Sequence, residues 1–307
     1  MNKTFRNIIK EICDELNIKY KILSKDWIIM LEKDGVKRFI SGFKFDLNDH
    51  ALGIILDDKY ATYELLRECN IPIIEHNIVF DSSNKNNYAI GCNSFEYLEK
   101  LFFKYNEDVV LKINCGTCGT EVLHLKNIDE LRDKFNELSS KYYSLSLCPF
   151  YNIENEYRAV VLNGKVELLY KKNKALVVGN GKSTIKELLC NFNPSYFANY
   201  EGNNKDLILE DGKQYEYDWR FNLSNGAKAS FDIMEDDREK ITKLAEKISK
   251  EINVNFGSID IIKTVDGSFY TMEINSGIMT NNFIKQIDNG YEIAKDIYKK
   301  AIKLYFS

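Results

Sequence analysis

The chain has 307 residues, 44% of them hydrophobic and 29% charged, which is enough to bury a full core and suggests roughly two domain-sized units. A net charge of −4 argues against nucleic acid as the main partner. The longest apolar runs, such as Ala51 to Leu56, are too short to span a bilayer, and seven cysteines without framework spacing fit a reducing cytoplasm, so a cytoplasmic protein without a membrane partner is expected.

From Met1-Asn2-Lys3-Thr4-Phe5-Arg6 the chain leads into an amphipathic helix rather than an apolar signal core. Apolar positions at helical spacing (Phe5, Ile8, Ile9, Ile12, Cys13, Leu16) predict that helix over residues 4–16. Short strands are expected at Tyr20–Leu23, Trp27–Leu31 and Val36–Ile40, the last two joined at Lys33-Asp34-Gly35. A helix starts at Asp57-Asp58-Lys59, acidic where the helix dipole favours it, and ends at Asn70-Ile71-Pro72. Strands at Ile73–Phe80 and Val109–Lys112 then flank a helix near Ser94–Tyr105, followed by a helix over Ile128–Lys141 and a strand over Ser144–Tyr151. Tyr157–Leu162 and Lys165–Lys171 read as a hairpin around Asn163-Gly164. Residues 191–218 are polar and turn-rich, and a loop of that length is usually functional. Helices over Arg238–Asn253 and Tyr291–Tyr305 close the pattern.

Between those last helices, Phe256 to Gly277 forms two β-rich runs around Asp266-Gly267, the signature of a hairpin. Side chains two apart in a strand share a face, so Glu273 and Asn275 point the same way, and Asp260 can face them from the partner strand. Three oxygen-bearing side chains on one face suit a hard cation such as Mg²⁺, which usually also takes substrate phosphates. The same residues would equally serve as the solvent face of an edge hairpin. Lys112 ends a strand just before Gly116-Thr117-Cys118-Gly119-Thr120. That loop is either an ordinary turn or a phosphate cradle, in which glycines admit backbone N–H groups and the lysine adds a charge. Cys115 and Cys118 form a Cys-x-x-Cys without a second Cys or His pair at ligand spacing, so metal binding is rejected and no redox role is assigned. Gly179-Asn180-Gly181-Lys182-Ser183 fails as a P-loop, because Leu176 stands where a glycine is required. His50, His76 and His124 are isolated, and no nucleophilic triad is apparent.

Six segments in this order resemble the ATP-grasp superfamily of carboxylate–amine ligases. They are Asp58-Lys59 with Asn70-Ile71-Pro72, Lys112 with its glycine loop, Glu156-Tyr157-Arg158, Val177 to Ile185, Asn222 to Gly226, and Asp260 with Glu273-Ile274-Asn275. The likeness is to the ligase segment of cyanophycin synthetase and to fused glutathione synthetase, with the ligases that add glutamate to a ribosomal protein behind them. It implies an α+β ATP-grasp fold: a reduced α/β cap (residues 1–56), a small lobe with the glycine loop (57–146) and a large lobe with the metal hairpin (147–307).

The resemblance also implies roles for particular residues. Lys59 and Lys112 contact ATP phosphates under a lid formed by Gly116, Thr117, Gly119 and Thr120. Pro149, Phe150, Tyr151 and Asn152 form the connector at the adenine edge, and Glu156 binds the ribose hydroxyls. Asp260, Glu273 and Asn275 hold magnesium, in two ions. Arg220 faces an acyl phosphate, with Lys172 and Arg158 as further catalytic cations. The implied reaction joins a carboxylate of a small amino acid or peptide to an amine at the expense of ATP; dimers or tetramers are common among the enzymes the chain resembles, and its own oligomeric state is left open. An ATP-grasp kinase and a catalytically silent nucleotide-binding protein are the alternatives. Two departures stand out: Ile113 replaces a common proline, and Glu121 replaces a third loop glycine.

Overall fold

The apolar stripe Phe5, Ile8, Ile9, Ile12 and Cys13 is buried by helix α1 (Lys3–Leu16), which Asn2 caps by accepting the Thr4 N–H at 2.7 Å and Asn17 ends in the left-handed conformation. A computed structural model describes this helix within residues 2–81, 83, 84, 86, 89–116, 119–192, 197, 202 and 204–307. Helix α1 covers an antiparallel sheet of β1 (Lys19–Leu23), β2 (Ile28–Lys33), β3 (Val36–Ser41) and β4 (Lys44–Phe45). Their core also takes Tyr298 and Ile302 from near the C-terminus and Val160 and Tyr170 from the large central sheet. The N-terminal unit thus shares one core with the rest of the chain.

The helix expected from Asp57-Asp58-Lys59 is α3 (Lys59–Glu68), and a further helix that the sequence reading does not assign, α2 (His50–Asp57), precedes it. The break falls at Asp58, whose carboxylate accepts the Ala61 N–H at 2.8 Å and so starts a new helix. The expected strand over Ile73–Phe80 is divided. Ile73 and Ile74 lie along Thr271 in the large sheet, whereas Asn77–Phe80 is β5 of a second sheet. One apolar run therefore crosses from lobe to lobe, and it covers an edge that would otherwise be open.

The second sheet has the order β5–β8–β6–β7, with β6 at Val109–Ile113, β7 at Val122–Leu125 and β8 at Ser144–Pro149. Helices α4 (Phe95–Lys104) and α5 (Ile128–Ser139) bury its outer face through Leu98, Phe102, Leu131 and Phe135. The central sheet has the order β13–β10–β9–β14–β15, built from β9 (Ile153–Leu162), β10 (Lys165–Asn173), β13 (Lys228–Ser230), β14 (Phe256–Thr264) and β15 (Phe269–Asn275). Helix α7 (Glu235–Glu251) packs on it through Ile241, Ala245 and Ile248. The chain closes with α8 (Asn281–Gln286) and α9 (Gly290–Tyr305). No helix among the described residues is long and apolar enough to cross a membrane.

Between β10 and β13 lie β11 (Leu176–Val178), α6 (Ile185–Phe192) and β12 (Gln214–Glu216), of which β12 and the end of α6 fall in the polar stretch 191–218; residues 193–196, 198–201 and 203 fall outside the described residues. The P-loop look-alike sits here, and Gly179 has a structural reason. A Cβ on it would lie 2.2 Å from the Glu210 carbonyl oxygen, so only glycine lets the two segments approach.

Candidate active site

The two sheets face each other across a cavity of about 760 Å³, and β14 runs along its floor. Alternate residues Ile262, Asp260 and Ser258 line it, at roughly 7 Å per step. They divide it into an apolar end, a charged centre and a neutral end.

At the apolar end, Val110 and Val122 of the small lobe and Ile153 and Met272 of the large lobe line a slot beside Pro149, Phe150 and Tyr151. The Phe150 N–H is held by the Asp108 carbonyl, which passes the role of free donor along the connector to Tyr151. Asn152 does not line the cavity; its carbonyl accepts the Val265 N–H at 3.1 Å. Outside the slot His124 stacks on Phe150, 3.8 Å between centroids at 7°, and Trp219 meets both rings at 5.6 Å. Asp108 holds His124 in place through a 2.6 Å bond to Nε2.

The charged centre contains a buried network built by strand register. Asp260 pairs with Arg158 on one side and Glu273 on the other, and Lys172 pairs with Glu156. Asp260, 1% exposed, receives Arg158 Nε at 2.7 Å, Arg158 Nη2 at 2.6 Å and Lys172 Nζ at 3.0 Å. Burial raises its carboxyl, but the two cations outweigh burial and hold it below the ordinary carboxylate range. Lys172 also bonds Glu156, which burial pushes up to about 7 against the pull of that lysine. Glu156, read from sequence as a ribose ligand, is therefore also the partner of Lys172.

Glu273 and Asn275 lie together, the Asn275 amide donating to Glu273 Oε1 at 3.2 Å. The strand pairing slips between Asp260 and Ile261, a bulge that turns both Met272 and Glu273 into the cavity. Strict alternation would send Met272 to the other face, so the sequence reading does not single it out. No described cation lies within ion-pair distance of Glu273.

Lys112 projects from near the C-terminal end of β6, opposite Ser146 and Val122. It is 8% exposed and has no ion pair or hydrogen bond among the described residues. Lys59, in the first turn of α3, donates to the carbonyls of Asn114 (3.3 Å) and Gly116 (2.8 Å), and burial lowers its pKa. It thereby anchors the start of the glycine loop. Thr117 and Cys118 lie outside the described residues. Gly119 and Thr120 line the cavity, and Gly119 has φ +69° with Asn222 Nδ2 only 2.9 Å from where a Cβ would stand. Arg220 reaches the same loop, donating to the Gly119 carbonyl at 3.2 Å while Asp218 grips its guanidinium at 2.9 Å on Nε and Nη2. Cys115 is exposed and unbridged, 3.7 Å from Asp58 Oδ2.

Behind Lys112 sits His76, buried, with Nδ1 2.8 Å from Ser146 Oγ. Burial first, then the charges of Lys112 and Lys59, push its pKa well below 6.5, so it is neutral in the folded protein. A base with a lowered folded pKa contributes stability above its unfolded pKa, and that contribution is lost as pH falls below it. Stability should therefore drop between pH 6.5 and 5.5 by up to roughly 1 kcal/mol through His76 alone. Glu156, a carboxyl raised to about 7, slopes the other way: its contribution is lost as pH rises through that value. Urea titrations at pH 6.5 and 5.5 should show His76→Asn retaining more of its own stability on acidification than the parent. An identical loss in both proteins would refute the assignment.

The donor set suits magnesium: two carboxylates and an amide oxygen are hard ligands. Asp260 is already bonded by Arg158 and Lys172, so Glu273 is the carboxylate without an ion-pair partner among the described residues. Six cationic and four carboxylate side chains line the cavity, which makes it formally positive by two in a chain of net charge −4. Such a surplus favours a polyanionic ligand.

Comparison with known proteins agrees with this geometry. Residues 211–301 match the model of the RimK-like ATP-grasp domain. The glutathione biosynthesis bifunctional protein GshAB of Clostridium perfringens is 25% identical over 303 residues, covering 94% of this chain and 36% of that protein. Cyanophycin synthetase of Geminocystis herdmanii is 22% identical over 227 residues, covering 67% of this chain and 25% of that protein. The chain thus spans about a third or less of these relatives. Among solved structures, a bifunctional glutathione synthetase from Pasteurella multocida superposes with a TM-score of 0.56 at 13% identity, over 98% of this chain and 44% of that one.

Proposed function

Because this chain carries the ATP-grasp fold, we propose that it is an ATP-dependent ligase joining a carboxylate to an amine, with ADP and phosphate as by-products. One observation carries the reading: a single cavity holds a buried lysine, Lys112, and a carboxylate, Glu273, neither of which has an ion-pair partner among the described residues. A magnesium–polyphosphate satisfies both at once.

The roles follow from position. The apolar slot takes the adenine, with Pro149, Phe150 and Tyr151 along its edge. Lys112 and Lys59 face the phosphates, and Gly116, Gly119 and Thr120 close over them. Glu273 and Asn275, with Asp260, would hold magnesium, which when bound neutralises phosphate charge and aligns the transferred group. A substrate carboxylate oxygen attacks the γ-phosphorus, giving an acyl phosphate and ADP. The amine then attacks the carbonyl carbon, and phosphate leaves with the attacking oxygen. Arg220 stabilises negative charge on the acyl phosphate and on the tetrahedral species that follows. Arg158 and Lys172, fixed by Asp260 and Glu156, are positioning cations beneath it. Residues 1–56, 57–146 and 147–307 serve as the wall of the neutral end, the phosphate-covering lobe and the metal-bearing lobe. The substrates are small amino acids or peptides.

Glu273→Gln keeps the shape and removes the charge. We expect the magnesium concentration for half-maximal ADP release to rise roughly tenfold, about 1.4 kcal/mol of metal affinity. An unchanged magnesium dependence would contradict the metal assignment.

A further inference from the structure

The neutral end of the cavity carries information on the substrate. It is bounded by the N-terminal sheet, whose Lys44 bridges to Gly277 and whose Phe43 carbonyl accepts the Ile278 N–H at 3.2 Å. Trp27, Phe43, Phe221, Leu223 and Met279 line it. The indole of Trp27 lies over Gly42, where an added Cβ would come within 3.1 Å of the ring, and the residue is 57% exposed. Such an indole is a ready apolar surface at the cavity wall.

The charges here are already matched. Lys44 is bonded to Asp57, as Arg220 is to Asp218 and Arg158 to Asp260. The cavity-lining cations without a carboxylate partner among the described residues are Lys59 and Lys112, at the phosphate-facing centre. A ligand carboxylate at the neutral end would find Lys44, Arg220 and Arg158 each already engaged by an aspartate and would gain no unpaired counter-ion, whereas the apolar wall favours an apolar side chain.

We infer that the amine-bearing acceptor is a molecule with an apolar or aromatic side chain and no net negative charge, seated on Trp27. This rests on the ligase reading above and adds the class of its second substrate.

The chain has two tryptophans, Trp27 and Trp219, and both line the cavity, one at each end. Each can therefore report separately. In Trp219→Phe, with magnesium and a non-hydrolysable ATP analogue present, phenylalanine and leucine should shift Trp27 emission at concentrations at least tenfold below those needed for glutamate or aspartate. Trp27→Ala should raise the KM for phenylalanine at least tenfold while the response of Trp219 to the nucleotide is unchanged. Equal or tighter binding of the acidic pair, or no Trp27 response to any of the four, overturns the inference. If Trp219 does respond to nucleotide in Trp27→Phe, the ATP reading survives that failure. No nucleotide response at Trp219 overturns both.

Discussion

Lys112→Met will lower ATP turnover at least about a hundredfold, the scale on which removing one charge-stabilising donor acts, and will leave the fold as stable as before or more so. The two halves of this result have one cause. Lys112 is 8% exposed and bonds to nothing among the described residues, so its ammonium costs free energy in the ligand-free protein. Methionine fills nearly the same volume with an unbranched apolar chain, beside Val110 and Val122. A lysine kept for packing would show the opposite pattern, with lost stability and retained turnover. Thermal unfolding without nucleotide, alongside ADP release, separates the two.

Arg158→Met will destabilise the protein by about 3–5 kcal/mol, the cost of leaving a buried charge without its partner. Asp260 is 1% exposed and would keep only the Lys172 bond, which Lys172 already divides with Glu156. In a chain of this size that corresponds to a melting point lowered by roughly 5–8 °C. The double variant Arg158→Met with Asp260→Leu should recover most of the loss. It removes one cation and one anion together and leaves the Lys172–Glu156 pair intact. A double variant as unstable as the sum of the singles would show that the two residues do not act as a pair.

The charged centre was legible in the sequence because it depends on short-range rules. Glu273 and Asn275 share a face by strand periodicity, and a hairpin around Asp266-Gly267 brings Asp260 opposite Glu273, as the register confirms. Lys112 was legible because a lysine at a strand end before glycines is unusual. What escaped depends on contacts between distant segments. The bulge that turns Met272 inward is a property of pairing, and nothing in the residue types marks it. The stack of His124, Phe150 and Trp219 joins three elements, so an isolated histidine in sequence gave no signal. The counter-ions were hidden in the same way: strand register, not spacing, gives Asp260 to Arg158 and Lys172. Trp27 reaches the cavity wall only because the N-terminal sheet docks there, with Lys44 of β4 bridged to Gly277.

The most direct test follows the oxygen. An amino-acid pool labelled with ¹⁸O in its carboxylates is incubated with the protein, magnesium and ATP, and the inorganic phosphate is examined by mass spectrometry. Transfer through an acyl phosphate predicts one ¹⁸O per phosphate released, with ADP formed in equal amount and an amide product. Unlabelled phosphate, or a stable phosphorylated product in place of the amide, would contradict the ligase reading.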